Sequence, residues 1–361
     1  MAIHRRLLLI AILLAFAVIA LGAYVRLSDA GLGCPDWPGC YGHWLGVPDD
    51  IHEHLAASQA FPERPVHTAK AWKEMVHRYF AGTLGLLILV ICVLAWREPL
   101  RSRQSPVLPT ALLGIVGLQA ALGMWTVTLL LKPVIVTLHL LGGMTTLALL
   151  IAIFLKDGHF PESSTAGAKL RVLGIIALLV VIAQIALGGW VSSNYAALAC
   201  PDFPRCQGQW QPPMEFVQAF TLHRELGFTR DGQLLPNVAL TAIHWSHRIG
   251  AVAVLIAVGS LALALIQSPG GTWRRWGQAL MGLIGLQITL GIANVLLALP
   301  LALAVLHNLG AACLLSTTLA LNIRLQKAKN PYRQSTYKGF AVAGGVDGTR
   351  TRDPRRDRPV F

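Results

Sequence analysis

The sequence has few charged residues for its length. Only 13% of its 361 residues are Asp, Glu, Lys or Arg, whereas soluble domains carry about 25%. Acidic residues are the scarcest, with 17 Asp and Glu against 30 Lys and Arg. Because 54% of the residues are hydrophobic, the composition excludes an ordinary soluble domain and is typical of a membrane protein.

Long apolar runs take up most of the chain. A hydrocarbon core about 30 Å thick needs about 20 apolar residues per helix. The qualifying runs are 7–25, 76–96, 107–130, 134–155, 170–192, 242–266, 277–298 and 301–323. The first run follows Arg5 and Arg6 as a signal peptide would, but no small-x-small cleavage site follows it. The sequence therefore predicts an all-α membrane protein with eight transmembrane helices.

The net charge is +13, and the basic residues that cause it are divided unequally between the two sides of the predicted membrane. If the N-terminus is inside, about two thirds of the Lys and Arg residues fall on the inner side, which is the positive-inside pattern. This predicts a multi-pass protein of the cell membrane with both termini cytoplasmic. The basic tail, which ends in "TRTRDPRRDRPVF", is predicted to be disordered and to contact membrane lipid rather than nucleic acid.

Several short stretches occur twice. "CPDWPGC" at 34–40 returns as "CPDFPRC" at 200–206, "ALGAYV" at 20–25 as "ALGGWV" at 186–191, and "LQAALG" at 118–123 as "LQITLG" at 286–291. The near-constant offset predicts two tandem parallel-repeat four-helix bundles, each with one long outer loop. The predicted units are an N-terminal bundle at 1–158, a C-terminal bundle at 159–325 and the tail at 326–361.

Four histidines fall inside the predicted spans near their outer ends: His77, His139, His247 and His307. Ionisable residues within a membrane are costly and mark functional sites. Two histidines per repeat at equal depth suit an iron porphyrin held between two imidazoles of a helical bundle. A zinc site is less favoured because most of the positions lack a nearby acid. For a single histidine, a hydrogen bond to a neighbouring carbonyl is the structural alternative.

The two repeats differ beside the first histidine of each. "EMVHR" places Glu74 three residues before His77 on the same helix face, whereas "HWSHR" has His244 at that position. We therefore expect chemistry in the N-terminal half and a resident electron-transfer haem in the C-terminal half. The alternative for Glu74 is a cap on the first helical turn. Arg78 and Arg248 lie at headgroup level, where they would contact haem propionates or extend to the membrane surface.

Taken together, these motifs resemble those of the haem A synthases, membrane enzymes that convert haem O to haem A for terminal oxidases. The resemblance rests on E-x-x-H-R at 74–78, the other three histidines and both cysteine pairs, and covers about residues 7–325. It implies that His77 and His139 flank the iron of the substrate haem O, and that His247 and His307 ligate the iron of a haem b cofactor. It also implies that Glu74 is the essential acid during stepwise oxidation of the porphyrin C8 methyl group to a formyl group.

The resemblance also indicates partners and alternatives. Haem O is the expected substrate and haem O synthase a candidate partner. The electron donor, the oxygen source and the oligomeric state, with a homo-oligomer among the alternatives, stay open. A dihaem cytochrome b that passes electrons from quinol would explain the four histidines equally well, and a haem chaperone for oxidase assembly is a second alternative. The dihaem cytochrome accounts neither for an acid in one half only nor for a cysteine lid on each half.

The six cysteines fall into two groups. Four lie in the outer loops, where disulfides persist. Each pair encloses five residues with two prolines, and Cys34–Cys40 and Cys200–Cys206 are predicted to be disulfides that cover the two haem pockets. Whether the first is redox-active or only a staple is left open. Cys92 and Cys313 lie in the second and eighth apolar runs and are interpreted as packing residues.

Overall fold

A computed structural model describes residues 2–97, 105–157, 167–269 and 271–328, and this part of the chain contains helices, turns and isolated bridges but no strand. Eight of its helices are long and apolar enough to cross a membrane. They are α1 (Ala2–Leu27), α3 (Thr68–Arg97), α4 (Val107–Thr128), α5 (Pro133–Asp157), α6 (Ala168–Ser193), α8 (Asn237–Gln267), α9 (Gly271–Leu296) and α10 (Leu301–Lys327). The protein is thus an all-helical, multi-pass membrane protein, as predicted.

The outer loops contain helices that the hydropathy pattern does not predict. α2 (Ile51–Ala60) and α7 (Phe216–Ala219) lie in the first and second long loop. α3 begins at Thr68 rather than at the predicted 76, and α8 at Asn237 rather than at 242. The residues added to α3 include Lys70 and Lys73, so the helix continues beyond the apolar run that defines a span.

Two tight turns join α4 to α5 and α9 to α10 in the same way. In each turn a leucine is in the left-handed region, Leu131 with φ of 57° and Leu299 with φ of 63°. Each donates its N–H to the carbonyl five residues earlier, at 2.8 and 2.7 Å. Pro133 then starts α5, and Pro300 immediately precedes α10, in agreement with the preference of proline for the beginning of a helix.

Residues at equivalent repeat positions meet at the outer ends of α1 and α6. Arg26 donates from Nη2 to the carbonyl of Ser192 at 2.7 Å, and the Tyr195 hydroxyl donates to Asp29 at 3.1 Å. Both pairs are 166 residues apart, which is also the offset between the CPD loops. Equivalent residues contact one another where a two-fold axis passes between them. The tandem repeat stays a prediction, and these contacts support it.

The predicted domain limits fall largely outside the described residues. Residues 158–166, where the first bundle was expected to end, and 329–361 of the predicted tail are not described. α10 continues to Lys327, so the start of the predicted tail at 326 is still helical. The division into two bundles and a tail therefore stays a prediction.

Large aliphatic side chains cover the outer faces of the helices. Leu86, Leu179 and Ile256 are each 60 to 67% exposed in the middle of α3, α6 and α8. Buried residues such as Leu147 and Leu261 form the core between the helices. A surface that is apolar at the level of the helix middles is suited to contact with lipid tails rather than water.

Candidate haem sites

Each of the four predicted histidines packs against a glycine of a neighbouring helix, which we call its seat glycine. A Cβ added at these glycines would lie 3.0 to 3.4 Å from the Cε1 atom of the imidazole. The seats are Gly22 for His77, Gly123 for His139, Gly188 for His247 and Gly291 for His307. Since real Cβ contacts are rarely this short, a larger residue would push the ring away from the helix.

These seat glycines were not predicted as functional residues, although the sequence carries a signal for them. All four belong to an "LG" pair on α1, α4, α6 or α9. The repeated stretches "ALGAYV" and "LQAALG" contain this pair. Taken from the sequence alone, they indicate only the offset between the two repeats. Which side chain packs on a given glycine depends on the arrangement of helices, so the pairing becomes visible only in the structure.

The structure brings the histidines together in the pairs that the sequence predicts. His77 lies near enough to His139, and His247 near enough to His307, for their charges to interact. All four residues are partly exposed. The Nδ1 atoms of His77, His139 and His307 are nevertheless buried. Each of these rings lies beside the backbone of the residue four positions before its seat glycine, which is Val18, Gln119 or Gln287.

Paired imidazoles fit a porphyrin iron better than a zinc ion. Structural zinc takes four protein ligands, and catalytic zinc takes three and a water. Within the described ranges, the only group of three or more potential metal ligands is Asp49, Asp50 and Glu53 in the first outer loop, which includes none of the four histidines. Two histidines per site, inside apolar helices, therefore match the axial ligation of a haem.

Glu74 is buried within α3 and holds the first outer loop. Only 5% of the residue is exposed. One carboxylate oxygen accepts the backbone N–H of Cys34 at 3.0 Å, and the other accepts a hydrogen bond from Arg78 at 2.6 Å. The first turn of α3 contains no acid, so the helix-cap interpretation of Glu74 is wrong. The carboxylate belongs to an ion pair four residues apart that anchors the loop above His77.

His244 occupies the same position in the other half and makes the same kind of contacts without a charge. The backbone N of Cys200 lies 3.3 Å from its Nδ1 and Nε of Arg248 lies 3.2 Å from its Nε2, and a neutral imidazole accepts a hydrogen bond at one of these two nitrogens. It is 4% exposed. The two halves therefore share one loop anchor, which is a carboxylate in the N-terminal half and an imidazole in the C-terminal half.

Both arginines of the "HR" pairs bind loop carbonyls. Arg78 donates from Nη1 to the main-chain oxygens of residues 36, 38 and 39. Arg248 donates to those of residues 200, 202 and 205 at 2.8 to 2.9 Å. The sequence does not predict this role. A contact between either arginine and a haem propionate stays a prediction. The alternative, in which these side chains extend to the membrane surface, does not describe guanidinium groups that are partly buried beneath a loop.

The two CPD loops have the same structure, and each is closed by a disulfide, Cys34–Cys40 and Cys200–Cys206, as predicted. We call each loop a lid. The aspartate of each lid accepts two backbone N–H bonds from the residues after the second cysteine, at 2.6 and 2.8 Å in both. These bonds, led by the Gly208 N–H, hold the pKa of Asp202 below its ordinary value. Cys92 and Cys313 are free thiols within helices.

Comparison with known proteins identifies the family. The family model described as cytochrome oxidase assembly protein, COX15-CtaA, matches residues 5–319. A protein of Shewanella oneidensis named "Heme A synthase" is 43% identical over 318 residues, covering 88% of this chain and 94% of that protein. A protein of Methylobacterium sp. strain 4-46 with the same name is 29% identical over 346 residues, covering 88% and 91%. The chain therefore belongs to the COX15-CtaA family of cytochrome oxidase assembly proteins.

Proposed function

We propose that the protein is a haem A synthase that oxidises the C8 methyl group of haem O to a formyl group. The observation that carries the proposal is the difference between two otherwise matching sites. Each half presents two imidazoles on seat glycines beneath an anchored lid, but only the N-terminal half has a carboxylate as the anchor, at Glu74. The name shared by the relatives agrees with this assignment.

In the N-terminal half, His77 and His139 would hold the iron of the substrate haem O. Both rings come from helices, so their spacing is set by the packing of α3 and α5 against the seat glycines on α1 and α4. Glu74 lies one helical turn from His77 toward the lid. There it can exchange a proton with a group on the porphyrin edge or stabilise positive charge that develops on the oxidised carbon.

In the C-terminal half, His247 and His307 would ligate a resident haem b. When bound, this haem supplies one-electron transfer. The chain's own contribution is to orient the two imidazoles and to exclude water with the second lid. No acid takes part in the anchor of that lid, because His244 replaces it. This half is therefore suited to electron transfer rather than to proton-coupled chemistry on a substrate.

The membrane orientation is part of the proposal. The lids and all four histidines lie toward one end of the bundle, which the charge distribution assigns to the outer face with both termini cytoplasmic. A membrane-embedded donor of haem O, such as haem O synthase, would deliver its product laterally through the lipid. The apolar outer faces of the helices are compatible with such delivery.

Analysis of bound pigments tests the proposal against both alternatives. The purified protein from cells that make haem O should contain haem b together with haem O, its alcohol and haem A. A dihaem cytochrome b would yield only haem b, and a chaperone would yield unmodified haem O. If haem A never appears when haem O, reductant and oxygen are supplied, the proposal is refuted.

A further inference from the structure

The first lid continues into an apolar tip that projects from the protein. After the bridge between Cys40 and His43, the chain presents Trp44 and Leu45, which are 78% and 80% exposed. We call the residues Trp44, Leu45 and Gly46 the lid tip. An aromatic and an aliphatic side chain that are exposed side by side form a patch, and such patches mark interaction surfaces.

The lid tip is attached to α3 at the start of its apolar run. The backbone N–H of Gly46 donates to the hydroxyl of Tyr79 at 2.8 Å, and Gly46 adopts a φ of 88°, which residues with a side chain rarely do. Tyr79 is the fourth residue of the run 76–96. Since the side chains of a helix lean toward its N-terminus, the Tyr79 hydroxyl points to the lid end of α3. The tip therefore lies at the level where the apolar run begins.

The face of α3 that carries the tip is the face exposed to lipid. Residues seven positions apart lie on one face of a helix, and Tyr79 comes seven residues after Trp72 and seven before Leu86. Both of these side chains are exposed, and Leu86 lies in the middle of the span. The tip is thus continuous with the apolar outer surface of the helices and lies away from the bundle interior.

The second lid lacks this arrangement. Its tryptophan at the equivalent position, Trp210, is followed by Gln211, and the guanidinium group of Arg205 lies 5.7 Å from the centre of its ring. The residue equivalent to Tyr79 is Ile249, which has no hydroxyl group that could hold a tip. Polar groups accompany the tryptophan of the second lid, whereas the tip of the first lid is suited to an apolar phase.

We propose that the lid tip inserts into the lipid interface on the lid side of the membrane, with the Trp44 indole at headgroup level and Leu45 toward the acyl chains. Amphipathic tryptophan rings concentrate at this level in membrane proteins, and a leucine placed there is removed from water. The inference rests on the membrane spans and not on the proposed chemistry. Combined with the proposed function, it places the lid of the substrate site, but not that of the cofactor site, against the phase through which haem O arrives.

Spin labels at two matched positions test the inference. Leu45→Cys and Gln211→Cys change equivalent, exposed positions of the two repeats, so neither removes packing. Each is made in the full-length protein with Cys92→Ala and Cys313→Ala, because these are the free thiols of the described chain, and is placed in phosphatidylcholine–phosphatidylglycerol nanodiscs. The label at 45 should collide readily with oxygen, which concentrates in lipid. Its collision rate with a polar nickel chelate should be lower than that of the label at 211 by a factor of about three or more.

Fluorescence gives a second measurement that needs no added cysteine. Nanodiscs are prepared with lipids that carry bromine near the headgroup end of the acyl chain, which quenches tryptophans at the interface. The emission lost on bromination should be smaller in Trp44→Phe than in the unaltered protein, because Trp44 contributes to that loss. It should be unchanged in the matched control Trp210→Phe.

Three results would overturn the inference and leave the proposed function standing. If the label at 45 is as accessible to the nickel chelate as the label at 211, the tip lies in water. If the label at 45 is shielded from oxygen and nickel alike, the tip is covered by protein, such as a second copy of the chain. An unchanged emission loss in Trp44→Phe would contradict the insertion independently of the labels.

Discussion

Replacing Glu74 by glutamine separates its two roles, which are the anchoring of the lid and the proposed chemistry. In the unaltered protein the backbone N–H of Cys34 donates to the Glu74 carboxylate at 3.0 Å. Glutamine has nearly the same shape and keeps one oxygen that can accept this hydrogen bond. It loses the negative charge opposite Arg78 and the ability to exchange a proton. The proposed binding of haem O through His77 and His139 does not need that charge.

The structural cost of this change follows from the two hydrogen bonds that the carboxylate accepts. A hydrogen bond to an ionised group contributes about 1.5–3 kcal/mol and a neutral one about 0.5–1.5 kcal/mol. The bond to Cys34 becomes a neutral one, and the bond to Arg78 is lost because the amide N–H₂ group that then faces Arg78 cannot accept it, so the lid should be destabilised by about 2–4 kcal/mol. Arg78 keeps its three loop carbonyls, which leaves the guanidinium hydrogen-bonded. Loss of a general acid or base should instead lower the rate of oxidation by a factor of about 100 or more.

The assay is the ratio of haem A to haem O extracted from the purified protein, followed over time after oxygen is supplied. Glu74→Gln should accumulate haem O or its alcohol and keep its full haem b spectrum. His244→Gln is the matched control, since it alters the same two contacts beneath the other lid. That variant should still make haem A. His244→Glu, which places an acid in the C-terminal half, should not create a second oxidising site.

Two results would contradict this reasoning. If Glu74→Gln produced haem A within about threefold of the normal rate, a typical acid–base contribution would be absent, and the carboxylate would be only a lid anchor. If His244→Gln lost haem A formation as severely, the loss would come from lid anchoring in general. In that case the difference between the halves would no longer identify the oxidising site.

His247→Ala or His307→Ala should abolish the low-spin haem b spectrum, because each removes one of two axial ligands; full b-type absorbance in both would disprove the assignment. Thiol labelling without reductant should modify at most Cys92 and Cys313, since the other four cysteines are in disulfides, and labelling of further thiols would contradict the lids. The pKa of Asp202 is lowered by backbone N–H groups, so its bonds stabilise the second lid above about pH 4 and are lost as the pH falls below its folded pKa. Disulfide reduction by a phosphine should therefore be slow and constant from neutral pH to about pH 4 and faster below it.

The sequence predicted the parts of the protein that depend on residue type and spacing. Eight spans follow from the lengths of the apolar runs, and the disulfides follow from two short proline-containing loops outside the membrane. His77 and Glu74 could be selected because titratable residues are rare in spans and because three positions along a helix share a face.

The parts that sequence reasoning missed depend on which helices are neighbours. Gly188 is one of many glycines in apolar helices, and nothing in its local sequence says that His247 packs on it. Gln184 precedes that glycine by one helical turn, but its partner is 63 residues away. The loop contacts of Arg78 were missed for the same reason, since an arginine at a helix end reaches either a ligand, the membrane surface or a loop. The helix α2 was missed because it lies outside the membrane and is short.

The comparison of the two halves also bears on the role of the lids. Disulfide, aspartate turn and arginine anchor recur in both, with nearly the same hydrogen-bond lengths. A feature that serves only the oxidation of haem O would be needed above one site. Since the C-terminal lid lies over a histidine pair without an acid, the task that the two lids share in the proposed function is to close the outer end of each proposed haem site. The chemical difference must then come from positions that change between the halves, and Glu74 against His244 at the lid anchor is the change that adds a carboxylate.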